Sequence, residues 1–323
     1  MAGYAEIQGR GDLYGPTMLP DQLSREIIQT APQASVVAAR ARRVPMSTKT
    51  MKQPVLAALP DAYWVNGDTG LKQTTKMAWS GVSMTAEELA VIVPIPDALM
   101  ADSSIPLWDE IKPLLVEAVG KKVDDATLFG NDKPASWPNA LIPGAIAAGN
   151  SVALGTGEDI GVDIATLGER MAMDGFSMTG FVSRPGLHWS LIGLRDAAGK
   201  PIYGTPDQNN LVAGVPTASL YGYPLNEITT GVWDPEDAVL LGADWSKVVL
   251  GIRQDITFQL FTEGVISDET GKVVLNLMQQ DSKALRLVFR VGFQVANPLT
   301  RLNQNAATRY PAAVILPEEE ETP

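Results

Sequence analysis

The chain has no cysteine and a single histidine, His188. The first absence excludes a disulfide framework, a thiolate nucleophile and any cysteine-based metal site. The second removes most acid–base schemes, because one side chain would have to serve every such role. Charge is sparse too: 19% of residues are Asp, Glu, Lys or Arg, against roughly 25% in ordinary globular domains. Nowhere do about 18 uninterrupted apolar residues occur, and no basic stretch at the N-terminus leads into an apolar one, so neither a membrane span nor a secretion signal is expected. A reducing cytoplasm fits a chain of this kind.

What is present is enough apolar material, 45% of 323 residues, for a substantial core in one large domain or two. With so few charges, one reading is that much of the surface faces neighbours in place of water. Net charge is −12 and uneven: residues 1–60 hold seven Lys/Arg and four Asp/Glu, so the remainder carries −15. An acidic body argues against tight phosphate-backbone binding, which draws its free energy from basic side chains displacing counterions. Arg40, Arg42 and Arg43 form the one local basic cluster, expected to be a solvated strand end or a contact with an acidic neighbour.

The stretch from Val44 to Ile95 is rich in strand formers yet has too few apolar side chains to bury itself. Its Thr- and Lys-rich first half runs from Val44 to Leu56. Tyr63, Trp64 and Val65 then precede a turn signal, Asn66-Gly67-Asp68-Thr69-Gly70. The return limb climbs through Met77, Trp79, Val82 and Met84 into the apolar run Leu89–Val93. A two-stranded arm of that kind is marginal alone in water and needs another surface, which we expect to be a second copy of the chain.

Before the hairpin, a Gly-rich start and a short helix with Leu23, Ile27 and Ile28 on one side make an arm with too little core to be a domain. After it, Asp102-Ser103-Ser104 offers N-caps for a helix over 105–128 of about 36 Å, with Ile111, Leu114, Leu115, Ala118, Val119, Val123 and Ala126 at helical spacing and Gly130-Asn131 closing it. Pro113 removes a backbone donor early in that helix and predicts a kink or a later start. Residues 131–162 read as an irregular Pro/Gly connection. Ile164, Leu167 and Met171 mark a second helix, Phe181-Val182 a strand, and Leu187, Leu191 and Leu194 a third helix. Residues 200–231 read as extended segments and loops. Strict alternation then predicts two strong strands, over Val248–Leu260 and Leu285–Val295, the second about 40 Å long and so comparable to the long helix. The fold class is α+β. The acidic tail over 317–323 is expected to be disordered.

No candidate active site emerges. His188 lies near a helix start with no Gly-x-Ser-x-Gly elbow in the chain. Gly155-Thr-Gly157-Glu-Asp-Ile-Gly161 has the wrong spacing for a dinucleotide fingerprint and reads as a plain loop. The acid pairs Asp124-Asp125, Glu87-Glu88 and Asp268-Glu269 lack the register of a calcium loop and are expected to face solvent. Seven scattered tryptophans without flanking basic residues fit core and interface packing better than base stacking. No catalytic, cofactor or metal residues are expected.

The order of segments from Leu19 to Leu302 resembles the major capsid proteins of tailed phages with the Hong Kong 97-type fold. The resemblance is carried by Ser35–Met46 followed by Ala62–Val65, by Met84–Ser103, by Arg195–Tyr203, by Leu241–Thr257 and by Arg290–Pro298, in that order. It implies an N-terminal arm over 1–44 and an extended hairpin, the E-loop, over 45–84. It also implies a peripheral domain over 85–159 and 246–294 with its spine helix at about 105–128, and an axial domain over 160–245 and 295–316. Function would follow from tiling: hexamers and pentamers closing into an icosahedral virion shell around double-stranded DNA, without sequence-specific binding and with no enzyme activity. The residues expected at subunit contacts are Trp64, Asn66, Gly67, Asp68, Gly70, Lys72 and Lys76 on the E-loop and Arg40, Arg42 and Arg43 on the arm. A separate scaffold protein, a portal and a decoration protein are the partners the resemblance implies. Members that crosslink join an E-loop lysine to an asparagine; Lys72, Lys76 and Asn297 are of the right type, but no local motif marks them, and no crosslink is expected. Two other readings stay open: an encapsulin-type shell enclosing an enzyme, and a soluble α+β enzyme or binding module with a polar-lined pocket.

Overall fold

A computed structural model describes residues 35–65, 72, 74–75, 77–98, 107–157, 159–193, 219–268 and 270–318. The caps expected at Asp102–Ser104, the arm helix near Leu23 and the tail beyond Glu318 lie outside these residues.

The described chain opens with a one-turn helix, α1 (Val36–Arg40), capped by the Ser35 hydroxyl, which accepts from the Ala38 N–H. Strand β1 (Arg42–Pro45) follows, then β2 (Thr50–Ala58) and the 19-residue β3 (Ala78–Pro96). A five-stranded sheet has the order β1-β9-β12-β3-β2, with β9 (Val248–Phe261) and β12 (Ser282–Val295) as its long members. Both strands read from alternation are therefore present, and β12 runs antiparallel to both of its neighbours. One sequence expectation shifts here. Val44 and Pro45 belong to β1, which pairs parallel with Val249–Ile252 of β9, and the hairpin proper starts at Thr50.

Helix α2 (Leu107–Leu128) lies along this sheet. It continues through Pro113, so the later start does not occur. Leu115, Val116 and Val119, with Ile111 beside them, pack on Ile256, Leu285 and Leu287 and on the half-buried Val91 and Val93. Each such fully buried side chain contributes about 1.5–3 kcal/mol over an exposed one. Leu114, expected on the same face, points away and is 64% exposed. The helix ends at Leu128, and Gly130 (φ +85°) donates to the Asp125 carbonyl in the left-handed conformation that favours glycine.

The stretch read as irregular, 131–162, holds two elements: α3 (Leu141–Ala148) and β4 (Ser151–Ala153). Pro143-Gly144 looks like a breaker, yet Pro143 sits in the first turn, where its missing N–H would have no partner anyway. Gly144 is needed for close approach, because a Cβ there would lie 2.4 Å from the Tyr310 hydroxyl. Helices α4 (Ile160–Met173) and α5 (Leu187–Gly193) and strand β5 (Gly180–Ser183) appear where periodicity put them.

A six-stranded sheet has the order β4-β13-β8-β5-β7-β6, adding β6 (Ser219–Leu220), β7 (Tyr223–Glu227), β8 (Leu240–Ala243) and β13 (Ala312–Leu316). Its two faces are both covered. Val182, Leu241, Ala243, Ala312 and Val314 look toward a core shared with α3, the end of α2 and β12; Phe181, Leu225, Leu240, Ala313 and Ile315 look toward α4 and α5. Burial on both sides explains why β8 and β13 are unbroken apolar runs with no alternation to read. A small hairpin, β10 (Val265–Ser267) with β11 (Val273–Asn276), stands apart as its own two-stranded sheet.

Candidate functional site

The hairpin β2–β3 pairs from Thr50↔Thr85 to Ala58↔Ala78. Over this length β2 has no fully buried residue, and Met51, at its root, packs against the buried Met46, Met84, Ala86 and Val249. Within the ladder Trp79 is 61% exposed; beyond its last pair Trp64 is 101% exposed, and Tyr63, Val65 and Met77 are exposed as well. Lys72 is exposed too. The other residues expected at this tip, Asn66, Gly67, Asp68, Gly70 and Lys76, lie outside the described residues. The finger also touches its own body at the far end of its ladder. Leu299 N–H donates to the Leu56 carbonyl (3.1 Å), and Arg301 reaches Asp61 Oδ1 (2.9 Å) and the Pro60 carbonyl (2.7 Å). That ion pair is exposed on both sides and holds little.

The three arginines of the arm do different things. Arg40 donates to Asn226 Oδ1 of β7, tying the arm to the six-stranded sheet. Arg43 Nε donates to the Ala38 carbonyl, closing the turn out of α1. Arg42 and Arg43 are exposed and free to meet another surface, whereas Arg40 is half-buried.

Asp124 corrects the sequence reading. Expected to face solvent beside Asp125, it is fully buried. Its Oδ1 accepts from the Ser35 hydroxyl (2.5 Å) and the Val37 N–H (3.1 Å), and Oδ2 from the Val36 N–H (3.0 Å). Burial pushes its pKa up to about 6, and the three donors oppose that rise without cancelling it. One carboxylate on the long helix thus satisfies the N-terminal donors of α1 and clamps the arm. Asp125 behaves as expected, lying near Lys122 and accepting from Asn131.

The remaining polar groups are structurally employed. Both carboxylate oxygens of Asp163 accept from the backbone N–H groups of Gly155 and Gly157 (2.8 Å each), so the glycine loop wraps a side chain of its own helix and has no amides aimed at a phosphate. Glu87 takes Ser136 and Lys49, Glu88 takes Arg290, and Asp268 caps its own turn through Thr270 and Lys272. His188 is half-buried against Trp189 at the start of α5. Trp137, Trp233 and Trp245 are core residues, the last two donating to the Ala238 and Gly180 carbonyls. Among the described residues no group of three or more His, Cys, Asp or Glu could hold a metal ion, and no helix is long and apolar enough to cross a membrane.

Asn297 is half-buried in a polar knot. Its amide N–H groups donate to the Ala306 and Arg309 carbonyls, and its Oδ1 accepts from Arg309 Nε. Arg309, 3% exposed, also donates to the Asn303 carbonyl, and Asn303 donates to Asp174 Oδ1. Asp174 in turn accepts from Asn150 and the Tyr310 N–H. This knot fixes the segment whose Leu299 and Arg301 reach the far end of the finger's ladder.

Residues 15–299 match the model of the phage capsid family. Among curated proteins, the major capsid protein of Staphylococcus phage 80alpha is 25% identical over 284 residues, 86% of this chain and 82% of that protein. A solved structure from Microbacterium phage Oxtober96 is similar with a TM-score of 0.77 and 38% identity, over 97% of this chain and 96% of that one. One from Mycobacterium phage Cain has a TM-score of 0.75 and 32% identity, over 88% and 90%.

Proposed function

Because the chain belongs to the phage capsid family, with the Hong Kong 97-type fold of tailed-phage shells, we propose that its working form is a closed icosahedral shell of hexamers and pentamers around double-stranded DNA. It is a major capsid protein, and its place is the virion. The observation that carries the tiling is the finger: a two-stranded ladder with no fully buried residue in β2 and a bare Trp64 has little cover of its own, and an isolated ladder of that size is marginal in water.

On this reading the arm covers 1–44 and the E-loop 45–84. The peripheral domain is the five-stranded sheet with α2, and the axial domain is the six-stranded sheet around capsomer centres. Trp64, Asn66, Gly67, Asp68, Gly70, Lys72 and Lys76 meet one neighbour, and Arg42 and Arg43 meet another, while Arg40 holds the arm in place. A separate scaffold guides assembly, and a portal and a decoration protein complete the particle. Support for a purely structural role is that the polar groups which could have formed a site are hydrogen-bonded into loops and turns.

Sedimentation and negative-stain microscopy of the purified chain, alone and with its scaffold, test this. Capsomers or shells are expected. A strictly monomeric species at high concentration would overturn the proposal, and shells holding a protein cargo in place of nucleic acid would move it to an encapsulin-type compartment.

A further inference from the structure

Between α1, α2 and the five-stranded sheet lies a cavity of about 240 Å³, walled by Ala38, Val119, Gly120, Val123, Ile256 and Phe289. We propose that it is the socket for Trp64 of a second copy of the chain. The inference rests on the shell reading above and adds to it a defined receptor for the finger.

Four observations point there. The volume falls below the roughly 300–1,000 Å³ of small-molecule sites and suits a single large side chain. The walls are largely apolar, and Gly120, in the middle of α2, puts no side chain into them. Of the polar residues on the lining, Ser35 already spends its hydroxyl on Asp124. Arg43 and Asp255 are exposed, and the Asp255 carboxylate has no hydrogen bond or ion pair among the described residues. The best guest is therefore an aromatic ring with one donor: apolar walls cover its faces, a guanidinium can stack on it, and a carboxylate can take an indole N–H. Trp64 has that chemistry. It is also the most exposed large apolar side chain of the described residues, whereas Trp79 and Trp189 are partly covered.

The absence of native cysteine makes the test clean. Copies carrying Trp64→Cys are co-assembled with copies carrying Ala38→Cys, and the particles are oxidised. Covalent dimers on a non-reducing gel are expected, well above those from a control pair of Trp64→Cys with Met278→Cys. Particles that form without this dimer overturn the socket and leave the shell reading standing; wild-type protein that never forms particles overturns the shell reading itself. If Ala38→Cys instead links to a cysteine placed at Leu23 of its own chain, the arm fills the cavity and the proposal falls. A second measurement needs no cysteine. The fluorescence of Trp64, taken as wild type minus Trp64→Phe, should shift to the blue on assembly, and an unshifted spectrum counts against burial.

Discussion

Asp124 shows how one side chain can set the fate of a whole segment. Its pKa in the folded chain, about 6, lies above the ordinary 3.8 because burial disfavours the charge. Between those two values the folded state holds the proton more tightly than the unfolded one, so stability falls as pH rises from about 4 to 6 and then levels off. The full change is about 3 kcal/mol. Thermal unfolding across pH 4–8 should show this slope in the wild type and lose it in Asp124→Asn; equal slopes would refute the account. Asp124→Ala strands the Ser35, Val36 and Val37 donors and should cost about 1–3 kcal/mol, with faster proteolysis near residue 40. None of this could be read from Asp124-Asp125 as a pair, because the partner lies 89 residues earlier in the chain. The same holds for Asp163: its short-range spacing to Gly155 and Gly157 is visible in the sequence, but only the fold reveals that the loop closes on that carboxylate.

At the level of elements, legibility followed periodicity. The apolar residues of α2 and α4 recur at 3.6 and the larger ones of β9 and β12 at 2, so these elements could be placed from sequence even though Val248–Gly251 and Val291–Val295 are buried on both faces. β8 and β13, buried on both faces, have no such rhythm, and α3 was hidden by a proline that its first turn tolerates. The finger was legible for the opposite reason, since it lacks apolar residues where a self-sufficient hairpin needs them. The candidate contact residues divide in the same way. Trp64 stands out as an apolar residue with nothing local to pack on, while the separate tasks of Arg40 and Arg43 depend on Asn226 and Ala38 and gave no signal. Because residues 60–80 hold no fully buried side chain among the described residues, removing them should leave the melting temperature of the body within a few degrees of wild type and abolish particles. A body that unfolds on this deletion would show that the finger belongs to the core.

For the whole molecule, the five- and six-stranded sheets and the cores around them belong to a chain with a net charge of −12. Proteins that grip nucleic acid do so by neutralising phosphates, and this one carries the wrong sign. Free subunits should pass through heparin at physiological salt and leave double-stranded DNA unshifted on a gel; a salt-sensitive complex would contradict the argument from net charge. Repulsion of that kind lets a packed polymer move along a wall without sticking to it. The knot around Asn297 bears on how such a wall endures. With its carbonyl oxygen and both amide hydrogens occupied by Arg309 and the Ala306 and Arg309 carbonyls, that amide has no reactive freedom for an isopeptide bond until the knot is undone. In a shell of the proposed kind, a joint left unwelded at that amide would make each join individually breakable, so that misplaced tiles could be released and reseated before the vessel closes.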